Sequence, residues 1–190
     1  MATNNLVDGL NISETMINGK CENCILGHHA CHLFDGETKK DLDILELVAF
    51  DLWGPSRVQS AGGEIYMMMI VDAGTSYKSG AYLLDKSDAT TIPTFNAFCT
   101  SVETSTRKKL HQLHSDGAFD SNKWQEYCQQ YRIKHELTAP YSSAQNGLAE
   151  QAIQTMIEDV CTLLDDSQLS HFYWAEAAAY SINTHNLIPS

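Results

Sequence analysis

The sequence predicts an α/β fold, a mixed sheet covered by helices, and three observations lead there. Three apolar runs, at 45–53, 65–72 and 79–84, are separated by short glycine-containing turns. Beyond residue 87, stripes at helical spacing alternate with short strand-like runs. The resulting order is three strands, helix, strand, helix, strand and a long helix, which a sheet with helices packed against it accommodates.

The first run is stopped by Gly54-Pro55, and Gly62-Gly63 turns the chain into the second. A turn over 74–76 leads to the third, and this spacing predicts an antiparallel meander. Ser87 or Asp88 is the expected N-cap of a helix whose Ile92, Phe95, Phe98 and Val102 share one face. A fourth strand is expected over 109–114, ending at Ser115-Asp116-Gly117. Ser121 is placed to cap a short helix with Trp124, Tyr127, Cys128 and Tyr131 as its buried stripe. A fifth strand is expected over 133–137 and a polar loop over 140–147. A long helix then follows from 148 to 164, carrying Ile153, Ile157, Val160, Cys161 and Leu164 at helical spacing. The last helix, over 172–183, is alanine-rich.

Bulk properties bound the function. The chain has 190 residues, room for one ordinary domain and a short appendage, and its 43% hydrophobic content suits a real core. No apolar run approaches the roughly 18 residues of a membrane span, so no membrane partner is expected. The first eight residues lack the basic and apolar regions of a secretory signal. The net charge is −12, and residues 135–190 contain neither Lys nor Arg. Composition alone therefore argues against a nucleic-acid enzyme, which normally presents cations to phosphate.

Three carboxylates nevertheless form a constellation. Asp51 sits inside an apolar strand, where a lone charge is costly. Asp116 ends another strand, and Glu150 lies near the start of the long helix. The ends of the first and fourth strands both carry an aspartate, so the sheet edge between them is the natural ligand site. Carboxylates from two strands and a helix suit hard divalent cations such as Mg²⁺ or Mn²⁺. The competing account is ordinary: an Asp at a strand end commonly caps a turn, and a Glu in a first helical turn complements the dipole.

The flanking residues favour the metal site. The blocks Ala49-Phe50-Asp51-Leu52-Trp53-Gly54-Pro55, Leu113-His114-Ser115-Asp116-Gly117 and Thr138-Ala139-Pro140-Tyr141-Ser142-Ser143-Ala144-Gln145-Asn146-Gly147-Leu148-Ala149-Glu150 resemble the three catalytic blocks of copia-type retrotransposon integrases. That family is a branch of the retroviral-integrase superfamily. The resemblance extends over nearly the whole chain and implies a ribonuclease-H-like fold with a five-stranded mixed sheet flanked by helices. It implies Asp51, Asp116 and Glu150 as ligands of a two-metal Mg²⁺ or Mn²⁺ site. Gln145 and Asn146 are implied as DNA-contacting residues, with a plain Asn-Gly turn as the alternative. The implied reaction is trimming of the element's DNA ends followed by strand transfer into target DNA. DNA and a homo-oligomer are thus the expected partners, and the nucleus the expected place. The resemblance also divides the chain into a partial zinc module and linker over 1–44, a catalytic core over 45–166 and a truncated C-terminal helix over 167–190.

The chain departs from the family in three places. The segment 117–149 is slightly shorter than usual, Gln151 follows the Glu where Arg is common, and Gln154 and Ile157 stand where basic residues line the helix. A catalytically silent remnant, acting as a protein-interaction module, is therefore the rival function. A plain ribonuclease of the superfamily is a third, against which Gln145-Asn146-Gly147 argues.

Cys21 and Cys24 form a Cys-x-x-Cys pair followed by His28, His29, Cys31 and His32, a donor set that suits Zn²⁺. No His precedes the pair, as the family's zinc module requires. A truncated module, a substituted site or no site at all are the three readings, the first carrying most weight. Cys99, Cys128 and Cys161 are expected in the core. His111, His135, His171 and His185 show no partner pattern.

Overall fold

The computed structural model describes residues 42–137 and 143–188, with the backbone alone for 143–146. Cys21, Cys24 and the side chains of Gln145 and Asn146 lie outside the described residues.

Strands β1 (Leu47–Trp53), β2 (Tyr66–Asp72) and β3 (Lys78–Leu83) form the meander that the turns predict, each antiparallel to the last. Helix α1 (Asp88–Thr106) crosses to β4 (Gln112–Ser115), which lies parallel to β1. Helix α2 (Asn122–Tyr131) leads to β5 (Lys134–Leu137), parallel to β4. Helices α3 (Ser143–Ser167) and α4 (Trp174–Leu187) complete the chain. The sheet order is β3-β2-β1-β4-β5, so the β1–β4 seam is interior to the sheet rather than its edge.

Strand alternation splits the core in two. Val48 and Phe50 of β1 point with Met68, Ile70 and Leu113 into one cluster, closed by Phe95 of α1 and Trp124 of α2. Met67, Met69 and Val71 point the other way, against α3 and α4. Asp51 is paired with Met69 and shares that second face. Two glycines make the geometry possible. Gly54 (φ +128°) ends β1 where an added Cβ would stand 2.6 Å from the Ile65 carbonyl oxygen. Gly80 lets α4 settle on β3, since a Cβ there would lie 2.5 Å from Ile182 Cδ1.

Some expectations need correction. Ser121 caps α2 as expected, accepting from the Trp124 N–H at 3.2 Å, but Tyr131 is exposed. The helix ends there, with Arg132 in the left-handed region at φ 58°, so the stripe's last member passes beyond the sheet. Helix α3 begins at Ser143, inside the expected loop, because Asn146-Gly147 is absorbed into it instead of turning the chain. Cys99 and Cys128 are buried as expected, whereas Cys161 is exposed on the rim of α3. The last helix runs on to Leu187 and is preceded by a single 3₁₀ turn, His171–Tyr173. Among the described residues no helix is long and apolar enough to cross a membrane.

Candidate active site

Asp51 is half-buried on β1, the central strand of the sheet, with strands on both sides. Its Oδ1 accepts from the Leu52 N–H at 2.8 Å. Burial pushes its carboxyl up to about 6; the charges of Asp116 and Glu150 push the same way, and the Leu52 N–H opposes them.

Asp116 follows β4 directly and starts the 3₁₀ turn Gly117–Phe119, its Oδ1 accepting from the Ala118 N–H at 3.0 Å. Its carboxylate thus serves as the ordinary cap of that turn. Glu150, exposed on α3, faces Asp51 across a groove of about 390 Å³ lined also by Trp53, Ile153, Gln154 and Glu158. Asp116 stands outside this lining. Among the described residues no three His, Cys, Asp or Glu side chains stand close enough together to hold a metal ion. Coulombic influence reaches farther than a ligand bond, so Asp51 senses both partners although the donors do not converge. The donor chemistry fits a hard divalent cation: all three are carboxylates, and Asp51 carries a charge that a cation would relieve.

A polar cluster on the same face escaped the sequence reading. His114 Nε2 lies 2.9 Å from Glu136 Oε2, and the Lys134 ammonium lies 2.5 Å from Glu136 Oε1. The register Gln112↔Lys134 and His114↔Glu136 brings them together, and only the pairing of β4 with β5 could have revealed it. Two histidines without a sequence pattern also have partners. His135 lies 2.8 Å from Ser115 Oγ, and His185 lies 2.7 Å from Asp159 Oδ2. Asp159 also accepts from Ser181 Oγ at 2.6 Å, tying α4 to α3.

No family model matches the chain. Over 174 residues it is 34% identical to the Retrovirus-related Pol polyprotein from transposon TNT 1-94 of Nicotiana tabacum, a match covering 89% of this chain. The chain spans 13% of that polyprotein's length. Among solved structures, a simian T-cell lymphotropic virus intasome in complex with PP2A regulatory subunit B56 gamma aligns with a TM-score of 0.58 at 14% identity, over 86% of this chain and 56% of the other. The HTLV-2 integrase catalytic core domain in complex with magnesium, in dimeric form, aligns at 0.53 and 19% identity, over 76% and 88%. These likenesses show the fold: it is ribonuclease-H-like, as in integrase catalytic cores.

Proposed function

Because the chain is related to a segment of a retrotransposon Pol polyprotein and has the fold of an integrase catalytic core, we propose that it is a metal-dependent polynucleotidyl transferase acting on the element's DNA ends. The observation that carries this is the placement of Asp51 on β1 and Glu150 on α3 on the two sides of one groove, with Asp116 at the turn after β4. In this reading the three carboxylates hold Mg²⁺ or Mn²⁺, and the magnesium in the HTLV-2 core supports that choice. Bound cations supply Lewis-acid stabilisation of the attacking and leaving oxygens in phosphoryl transfer. The chain itself contributes position. Asp51 is fixed by strands on both sides, Asp116 by its own turn, and Glu150 closes the groove from the helix. Water is the attacking group in end trimming, and the new 3′-hydroxyl attacks target DNA in strand transfer, with no covalent enzyme intermediate. DNA, a homo-oligomer and the nucleus follow as partners and place, and the dimeric form of the HTLV-2 core supports the second.

A Mn²⁺-dependent reversal assay on branched DNA tests this. Wild type should act, and Glu150→Gln should lose roughly 100-fold or more of that activity. The rival is a fold that persists without catalysis, favoured by the separation of Asp116 from the groove and by the absence of Lys and Arg along α3. Folded wild type that neither reacts nor gains thermal stability with Mn²⁺ would establish that rival.

A further inference from the structure

A second groove, about 610 Å³ in volume, opens beyond Trp53 between the loop 54–58 and helix α3. Neither Asp51 nor Glu150 lines it. Its floor is apolar, formed by the buried side chains of Met156, Val160, Leu164 and Trp174. The floor is also fixed in place: Trp174 Nε1 donates to the Val58 carbonyl at 3.1 Å, and the Trp53 and Trp174 rings meet edge to face at 5.2 Å. That volume lies within the range of small-molecule clefts, roughly 300–1,000 Å³, which combine apolar walls with a few polar groups that orient the ligand.

The polar groups here stand at the rim. Arg57, His171 and Cys161 are exposed there, and among the described residues Arg57 is the one full charge in the lining. Asp and Glu outnumber Lys and Arg by 24 to 12 in this chain, so a groove lined by an arginine and by no carboxylate runs against the average of its surface. The side chains of Arg57 and His171 make no ion pair or hydrogen bond among the described residues. The guanidinium therefore keeps its fork of donors for something outside the fold.

An apolar floor under a single uncommitted arginine selects its occupant by charge. A guanidinium matches a planar carboxylate with two parallel hydrogen bonds, and one full positive charge balances one negative charge. A phosphate monoester brings close to two negative charges and is only half balanced. A nucleic-acid strand brings one charge per nucleotide to a single cation. The His171 imidazole offers an N–H donor whether it is neutral or protonated. We propose that this groove binds a small amphipathic carboxylate, its apolar body on the floor between α3 and Trp174 and its head at Arg57. The proposal stands on the groove's shape and charge and does not depend on metal chemistry at Asp51.

The test uses the full chain and four probes that share one alkyl chain: decanoate, decanol, decyl phosphate and decyltrimethylammonium, each kept below its micellar concentration. Binding is read by calorimetry and by tryptophan fluorescence, since Trp53 and Trp174 both line the groove. Decanoate should bind at least about tenfold more tightly than decanol or the ammonium, and more tightly than decyl phosphate. Arg57→Gln should bring decanoate down to the level of decanol and leave decanol unchanged; Arg57 is exposed, and circular dichroism confirms that the variant is folded. Alkylation of Cys161, followed by peptide mass mapping, locates the ligand. It is run at alkaline pH, because partial burial and the charge of Asp165 push that thiol up. Decanoate should slow the alkylation several-fold in the wild type and not in Arg57→Gln. Equal binding of all four probes, or none, would overturn the proposal. So would tight decanoate binding that leaves Cys161 unprotected, which would place the ligand elsewhere, and a preference for decyl phosphate, which would assign the groove to phosphates.

Discussion

The two faces of the sheet are built from different materials. On the α1–α2 side, Phe50 contacts Phe95, Phe119 and Trp124 at centroid distances of 5.3, 4.4 and 5.1 Å, and Tyr127 extends the cluster. On the α3–α4 side the strands present Met67, Met69 and Val71, which share a cluster with Met156, branched aliphatic residues, three alanines and one buried ring, Trp174. Aromatic rings have few rotamers and preferred mutual angles, so they fix β1 from one side. Methionine is unbranched and adaptable, and it fills space against helices that carry the candidate site and both grooves. The rigid face sets where Asp51 is, and the adaptable face supplies what Asp51 can meet.

The sharpest way to break this contrast is to remove the centre of the aromatic side. Trp124 is fully buried and packs against five other rings, and its truncation to Ala should cost about 3–5 kcal/mol of unfolding free energy in urea titrations. Trp124→Phe should cost less than that range. Among the described residues the buried Trp124 Nε1 has no hydrogen-bond partner, so Phe removes an unpaired donor while keeping a ring. Met156→Ala, on the other side, should fall near the low end, about 2 kcal/mol. Equal losses at Trp124 and Met156 would mean that the two faces do not differ in mechanical role.

Asp51 should show the opposite sign. Its folded carboxyl titrates at about 6, above the ordinary aspartate value. Between about pH 4 and 6 the folded state therefore binds more protons than the unfolded one, and stability falls as pH rises through that window. The contribution is whole below the unfolded value and lost above the folded one. At neutral pH, Asp51→Asn removes a poorly solvated anion and should stabilise the protein by about 1–2 kcal/mol after discounting for partial exposure, or roughly 2–8 °C in Tm. The same substitution should erase any stabilisation of the wild type by Mg²⁺ or Mn²⁺ in thermal melts. A destabilised Asp51→Asn would make this aspartate an ordinary structural residue.

These residues also show what was legible in the sequence. Asp51 stood out because an acid inside an apolar run has no cheap structural explanation, and the turns around it forced the meander. Ser121 was legible because capping is local chemistry. The width of a buried stripe was not, because periodicity gives the direction a side chain faces and not the extent of the surface that covers it. Tyr131 and Cys161 both lie on the correct side of their helices and beyond that cover. The start of α3 was misread for a related reason: Asn146-Gly147 favours a turn by itself, and the helix that absorbs it is decided elsewhere. The His114–Glu136 pair needed the β4–β5 register, which no single segment contains. The separation of Asp116 from the groove was equally hidden, since it depends on which neighbour its carboxylate accepts from.

The smallest effect is expected where the methionine face touches Asp51 most directly. Met69 pairs with Asp51 across β1 and β2 and is fully buried. Met69→Leu conserves volume and hydrophobicity, so it should cost less than about 1.5 kcal/mol. The branched leucine is stiffer, however, and gives the wall beside Asp51 fewer ways to adjust. If the methionine face works by adapting, this variant should keep its stability and lose part of the Mn²⁺-induced rise in Tm. If it keeps both, the methionines are only filler, and the difference between the two faces is one of composition without consequence.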